Sequence, residues 1–207
     1  MVEEVKEHWT IVIVGKWNTA IFSPEWLTNN VFQTQELSLE FGMAPGMPRR
    51  ITAEKVTLIP THTSLILAPT ELDDPTLLRM ESMACKILDL LTHTPVANVG
   101  INFGYRVTPA LPELLEQFPS PHGERFASQQ LTIQSREFLW ILKHDNQQLR
   151  LSCQIKNGEL FIKFNFHSDT PTTSVAKNYI AGKIINYRMK TKSVLEQVFG
   201  ITMEGNQ

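Results

Sequence analysis

Three histidine positions have neighbours that suggest chemistry: His62, His144 beside Asp145, and His167 close to Asp169. His167 and Asp169 alternate at the end of an expected strand, so their side chains share a face and could hold a metal ion between them. Two ligands of common type do not make a site, and the sequence names no third. Asp73 and Asp74 read as a helix cap rather than a carboxylate dyad. Phosphate-cradling glycine loops, the dinucleotide fingerprint, the nucleophile elbow and the HExxH zinc motif are absent. No catalytic residue, metal or cofactor is therefore assigned.

Binding chemistry has more to rest on. From Asn98 to Val107 the chain alternates: Ala97, Val99, Ile101, Phe103, Tyr105 and Val107 fall on one face of a strand. Asn98, Gly100, Asn102, Gly104 and Arg106 fall on the other. A face of amides, glycines and one guanidinium is a candidate groove floor, because glycine admits close approach of a ligand. Glycines there also allow twist, bulges or the entry of large side chains from the next strand, and this reading ranks ahead of the groove.

The second candidate is the final helix, expected over Ser174 to about Phe199. Ala176, Ile180, Ile184, Tyr187, Thr191, Val194 and Val198 form its apolar stripe. Lys177, Lys183, Arg188, Lys190 and Lys192 edge that stripe with no acid between Lys177 and Lys192, and Tyr179 and Tyr187 are interleaved, a pattern found on nucleic-acid-binding helices. Cations with aliphatic stems at a core boundary produce the same pattern. Asn178, Ala181, Gly182, Ile185 and Met189 make a second, small and partly apolar face suited to a subunit contact. Solvated core helix, interface helix and nucleic-acid helix is the order in which these readings stand.

The elements that must carry these groups follow from periodicity and punctuation. Thr10 to Val14 is a β-branched strand, and Ser23-Pro24-Glu25-Trp26 caps a helix through about Val31. Glu36 to Phe41, Ile51 to Leu58 and Ser64 to Ala68 are expected strands, the first two separated by the loop 42–48. Asp74-Pro75 opens a helix with Leu77, Met80, Ala84, Ile87, Leu88 and Leu91 inward and Glu81, Ser82, Lys86 and Asp89 elsewhere on the wheel. A short helix over Leu111 to Phe118 precedes Pro119-Ser120-Pro121-His122-Gly123. Leu131 to Ile133, Phe138 to Lys143, Leu149 to Lys156 and Glu159 to His167 then read as antiparallel strands. Asn157-Gly158 fits a two-residue turn and sets the register Lys156/Glu159, Ile155/Leu160, Cys153/Ile162, Leu151/Phe164 and Leu149/Phe166.

An α+β fold follows, antiparallel sheet packed with helices. It divides at 1–118 and 119–207 or forms one continuous domain. With 207 residues, 42% of them hydrophobic, the chain can bury a sizeable core. Its net charge of -2 gives no global attraction to nucleic acid or an anionic membrane. Cys85 and Cys153 fall on a helix and on the apolar face of a strand, where thiols act as small hydrophobes. The N-terminus has no signal-peptide pattern and no apolar run is long enough to span a bilayer, so a reducing cytoplasm is expected.

The order of strand hairpin, helix from Pro75, Gly100-Ile101-Asn102-Phe103 strand, β-rich second half and C-terminal helix ending Val198-Phe199-Gly200 resembles a sporadically distributed family of uncharacterised bacterial proteins. The likeness spans most of the chain as a pattern without a diagnostic motif. This chain is shorter than is usual for that family and lacks much of its N-terminal region. The resemblance implies a prokaryotic mobile-gene neighbourhood linked to defence or toxin control, and gives no residue a role. The expectation is a non-catalytic binding protein that self-associates or takes another protein as partner. The alternatives are a nucleic-acid accessory using the basic helix, and a small-ligand binder or enzyme using the Asn/Gly face.

Overall fold

The chain begins with β1 (Val2–Glu4), a 3-10 turn (Lys6–His8) and β2 (Thr10–Gly15), all of which run along one side of a single long strand met later in the sequence. The computed structural model describes residues 1–34, 36–41, 47–110, 112–120, 122–144 and 147–203. The expected loop at 42–46, Leu111, Pro121 and Asp145, together with the side chain of His144, lie outside the described residues. After a second 3-10 turn (Thr19–Ile21) come α1 (Pro24–Asn30), β3 (Ser38–Glu40), β4 (Arg50–Ala53), β5 (Val56–Pro60) and β6 (Ser64–Pro69). Then follow α2 (Asp74–Leu90), β7 (Val96–Val107), α3 (Pro112–Glu116), α4 (Gly123–Ser128), β8 (Ser135–His144), β9 (Gln147–Lys156), β10 (Glu159–Asp169), α5 (Thr173–Ile180) and α6 (Ile184–Phe199).

The ten strands of the described residues join one sheet in the order β3-β4-β5-β6-β2-β7-β10-β9-β8, with β1 beside the far end of β7. Every pairing is antiparallel. The fold is α+β. The two sequence halves share this sheet, since β7 pairs with β10 from Val107↔Leu160 through Asn98↔Asp169. The Asn157-Gly158 turn has φ of 53° and 76°, and the five expected pairs across it are those formed.

One face of the sheet is covered. Ile11, Ile13, Leu65, Leu67, Val99, Ile101, Phe103, Cys153, Ile162 and Phe164 meet Leu77, Met80, Ala84 and Ile87 of α2, Ala176 and Ile180 of α5 and Ile184 of α6 in one buried cluster. Each Val, Leu, Ile, Met or Phe side chain among them contributes about 1.5–3 kcal/mol by leaving water. Helix α2 starts as its residues dictate: Asp73 Oδ1 accepts from Thr76 N at 2.7 Å and Pro75 lies in the first turn. Within the core the Tyr105 hydroxyl lies 2.5 Å from Thr191 Oγ1, and Thr191 donates to Arg188 O at 2.8 Å. Tyr105 is therefore the donor, and burial pushes its phenol well above the ordinary value.

The thiols give a pH signature. Burial pushes Cys85 up to about 11 and Cys153 up to about 12 from an ordinary 9.0. Their stabilising contribution is complete below about pH 9, where both states keep the proton. It is lost as pH rises toward 11–12, because the unfolded thiols ionise first. Denaturant midpoints should fall over that range, and at neutral pH native Cys153 should react with a thiol reagent only after unfolding.

Five expectations are corrected. Residues 131–134 form no strand; Leu131 and Ile133 are exposed, and Gln130 at φ 60° turns the chain out of α4, a helix missing from the sequence reading. Ala97 is exposed and Val96 buried, because the β2–β7 register shifts between Val14 and Gly15. Glu81, expected elsewhere on the wheel than the inward stripe of α2, is buried at 8% exposure. The helix expected over Ser174–Phe199 is two helices, broken at Ala181 (ψ 123°) and Gly182 (φ 69°). The break shifts the phase of the stripe, so Leu195 and Phe199 are buried while Val198 is 62% exposed.

Candidate functional site

The uncovered face of the sheet is concave at its centre, where β2, β7, β10, β9 and β8 line an open cavity of about 790 Å³. Side-chain alternation sends the odd-numbered residues of β10 and β8 and the even-numbered residues of β2, β7 and β9 to this face. Register then fixes who meets whom. Thr10, Asn102, Asn165 and Arg150 stand in one row across four strands. Asn165 Nδ2 donates to Asn102 Oδ1 at 2.6 Å, and Asn102 Nδ2 donates to Thr10 Oγ1 at 3.0 Å.

Asn165 is the centre of the arrangement. Lys163 and His167 lie two residues to either side of it on the same face, and Arg150 is its partner across β9. Three groups able to carry positive charge thus adjoin one amide. All four line the cavity, as does His8 from the 3-10 turn. Burial lowers the His8 pKa, assisted by the nearby Lys163 and opposed by Glu7, which disfavours the charged imidazole. The acids of the cavity lie at its ends: Glu7, and Asp169, whose Oδ1 is 3.5 Å from His167 Nε2.

The glycines now have a physical cause. A Cβ on Gly100 would sit 2.6 Å from Asn165 Nδ2, so the central amide occupies the space a side chain would take. A Cβ on Gly104 would sit 2.4 Å from His8 Cβ. Both glycines admit a large neighbouring side chain, and Gly100 also lines the cavity. Of the five residues expected to form the groove, Asn98, Gly100 and Asn102 line it. Gly104 is covered by His8, and Arg106 turns to Glu3, with Nη2 2.5 Å from Oε2.

The other candidates are placed as follows. Among the described residues no group of three potential metal ligands converges, so His167 and Asp169 gain no third partner. His62 is exposed between β5 and β6. On the C-terminal helices, Lys177 pairs with Asp89 at 2.7 Å, Lys192 with Glu4 at 3.3 Å, and Arg188 with Asp74 at 2.6 Å and Glu4 at 3.4 Å. The Arg188 guanidinium also lies 5.4 Å from the centre of the Trp9 ring. These three cations tie α5 and α6 to α2 and β1, which leaves Lys183 and Lys190 of the original five. Asn178, Ala181, Gly182, Ile185 and Met189 straddle the helix break; Ile185 packs on the core and Met189 is 56% exposed.

Sequence reading missed His8, Thr10, Arg150, Lys163 and Asn165 as groove residues and considered His167 only as a metal ligand. Part of this was available. The Asn157-Gly158 register places Arg150 opposite Asn165, and alternation places Lys163, Asn165 and His167 on one face.

The fold and the groove together define a class: an α+β protein with one antiparallel sheet, helices on one face and a polar, basic-centred groove on the other. No family model and no curated protein matches this chain.

Proposed function

We propose that this chain is a non-catalytic binding protein that takes a small anion-bearing ligand on the open face of its sheet. The observation that carries this reading is the placement of Lys163, His167 and Arg150 around Asn165. Lys163 and Arg150 beside an amide can bind a phosphate or carboxylate through charge-assisted hydrogen bonds, Arg150 with two donors at once, and the His167 imidazole stands beside them as a further polar group. A concave site with a few convergent polar groups is the usual form of a ligand pocket. Thr10 Oγ1 is engaged by Asn102, which favours a positioning role for the row over a nucleophilic one. The pairing of three C-terminal cations with carboxylates favours this reading over nucleic acid. Two unpaired thiols, Cys153 of them buried, suit a reducing cytoplasm. No helix of the described residues is long and apolar enough to cross a membrane.

The test is a thermal-shift titration with inorganic phosphate and with citrate, against chloride at matched ionic strength. At a tenfold excess over Kd a ligand that binds only the folded state adds about 1.4 kcal/mol, which raises the midpoint by about 3–5 °C. Lys163→Glu and Arg150→Glu, both exposed, should abolish the rise without lowering the starting midpoint by more than about 1 °C. An equal rise in the two variants, or none in the wild type with either anion, refutes the reading.

A further inference from the structure

Strand β8 ends the sheet, and its outer edge has no strand beside it among the described residues. It is also apolar on both faces: Leu139 and Ile141 are each 60% exposed, Leu142 43% and Trp140 36%. A ten-residue edge strand of this kind is a template for another strand, and monomeric proteins normally blunt it.

Which backbone groups are free follows from the hairpin next door. In a two-residue turn the flanking pair exchanges both hydrogen bonds, so Lys156, Gln154, Ser152 and Arg150 direct their N–H and C=O toward β10. Ile155, Cys153, Leu151 and Leu149 therefore bond to their β8 partners Arg136, Phe138, Trp140 and Leu142. Glu137, Leu139, Ile141 and Lys143 are left with N–H and C=O pointing outward.

We propose that β8 pairs antiparallel with β8 of a second copy of this chain, about a two-fold axis at Trp140. This register sets Leu139 opposite the partner's Ile141 and Glu137 opposite the partner's Lys143, all of them residues with outward backbone groups. It also sets Phe138 against Leu142 and Trp140 against itself on the helix side. The strand is self-complementary in this arrangement: both ends carry an opposite-charge pair and the five central positions are apolar. Shifting the centre to residue 139 or 141 keeps the hydrogen bonds possible but loses both charge pairs. A two-fold axis perpendicular to the sheet keeps like faces together, so the two grooves, each lined by Leu139, open on the same side of one continuous sheet.

Light scattering on the full chain tests this. The wild type should have twice the 23.6 kDa chain mass. Glu137→Lys and Lys143→Glu should each halve that mass, and the double exchange should restore it, because the charge pairs re-form with signs reversed. Ile141→Pro removes no β9 ladder bond and should give a monomer with an unchanged circular dichroism spectrum. A wild type at chain mass, a mass indifferent to these changes, or no restoration in the double exchange overturns the proposal. So does a dimer that survives them but dissociates with Ile185→Lys and Met189→Glu, which would put the contact on α6.

Discussion

Glu81→Ala should destabilise the protein by about 3–4 kcal/mol, lowering the thermal midpoint by about 10 °C. Helix α6 starts without a local cap: Lys183 supplies no side-chain acceptor and the first turn holds no acid. Its orphan donors are met from another element. Glu81 of α2 accepts from Gly182 N at 2.7 Å on Oε1 and from Lys183 N and Ile184 N at 2.9 Å each on Oε2. A carboxylate at a helix N-terminus gains from the helix dipole as well as from three charge-assisted bonds. Removing it leaves the three N–H groups without their acceptor, with Ile184 fully buried, and an uncapped α6. Glu81→Gln keeps one acceptor oxygen and loses the charge, so it should fall between, at about 1–2 kcal/mol. Urea midpoints of the three proteins decide; a loss below about 1 kcal/mol in Glu81→Ala would remove the carboxylate from this role.

The same residue shows why the C-terminal helix was misread. Helix starts are sought in the few residues beforehand, and the acceptor that starts α6 lies about a hundred residues upstream. Without it, Ala181-Gly182-Lys183 reads as a tolerable glycine inside a helix. Local chemistry was legible where it suffices. Asn157-Gly158 needs positive φ at both positions and so fixes its register, and Asp73 with Pro75 fixes the start of α2. Alternation likewise gave the two faces of β7 from residue 98 onward. What remained hidden is non-local. That β7 lies between β2 and β10 depends on pairings between residues far apart in sequence. The groove could not be assembled without that adjacency, although its β9 and β10 members were placed by the hairpin.

His8 was the least legible member, and it bears on the strongest prediction for the groove face. Gly104→Ala should cost about 2–3 kcal/mol, because the new Cβ meets His8 Cβ rather than the movable end of a long side chain. The backbone cannot easily yield there. Gly104 O accepts from Val5 N at 2.8 Å and from the Trp9 indole Nε1 at 3.1 Å, bonds that hold the 3-10 turn between β1 and β2 against β7. Trp9 is 1% exposed and packs edge-on to Phe103 and Tyr105, so moving the turn disturbs the core beneath it. The double variant His8→Gly with Gly104→Ala removes the opposing Cβ and should recover most of the loss, a coupling that independent sites would not show. Gly100→Ala should behave differently, since it meets only the tip of the Asn165 amide. Its cost should stay near 1 kcal/mol, while the displaced amide breaks the row to Asn102 and weakens anion binding. Denaturant midpoints for the wild type, these three variants and His8→Gly alone separate the explanations. If His8→Gly fails to rescue Gly104→Ala, the glycine serves strand twist and not the passage of His8.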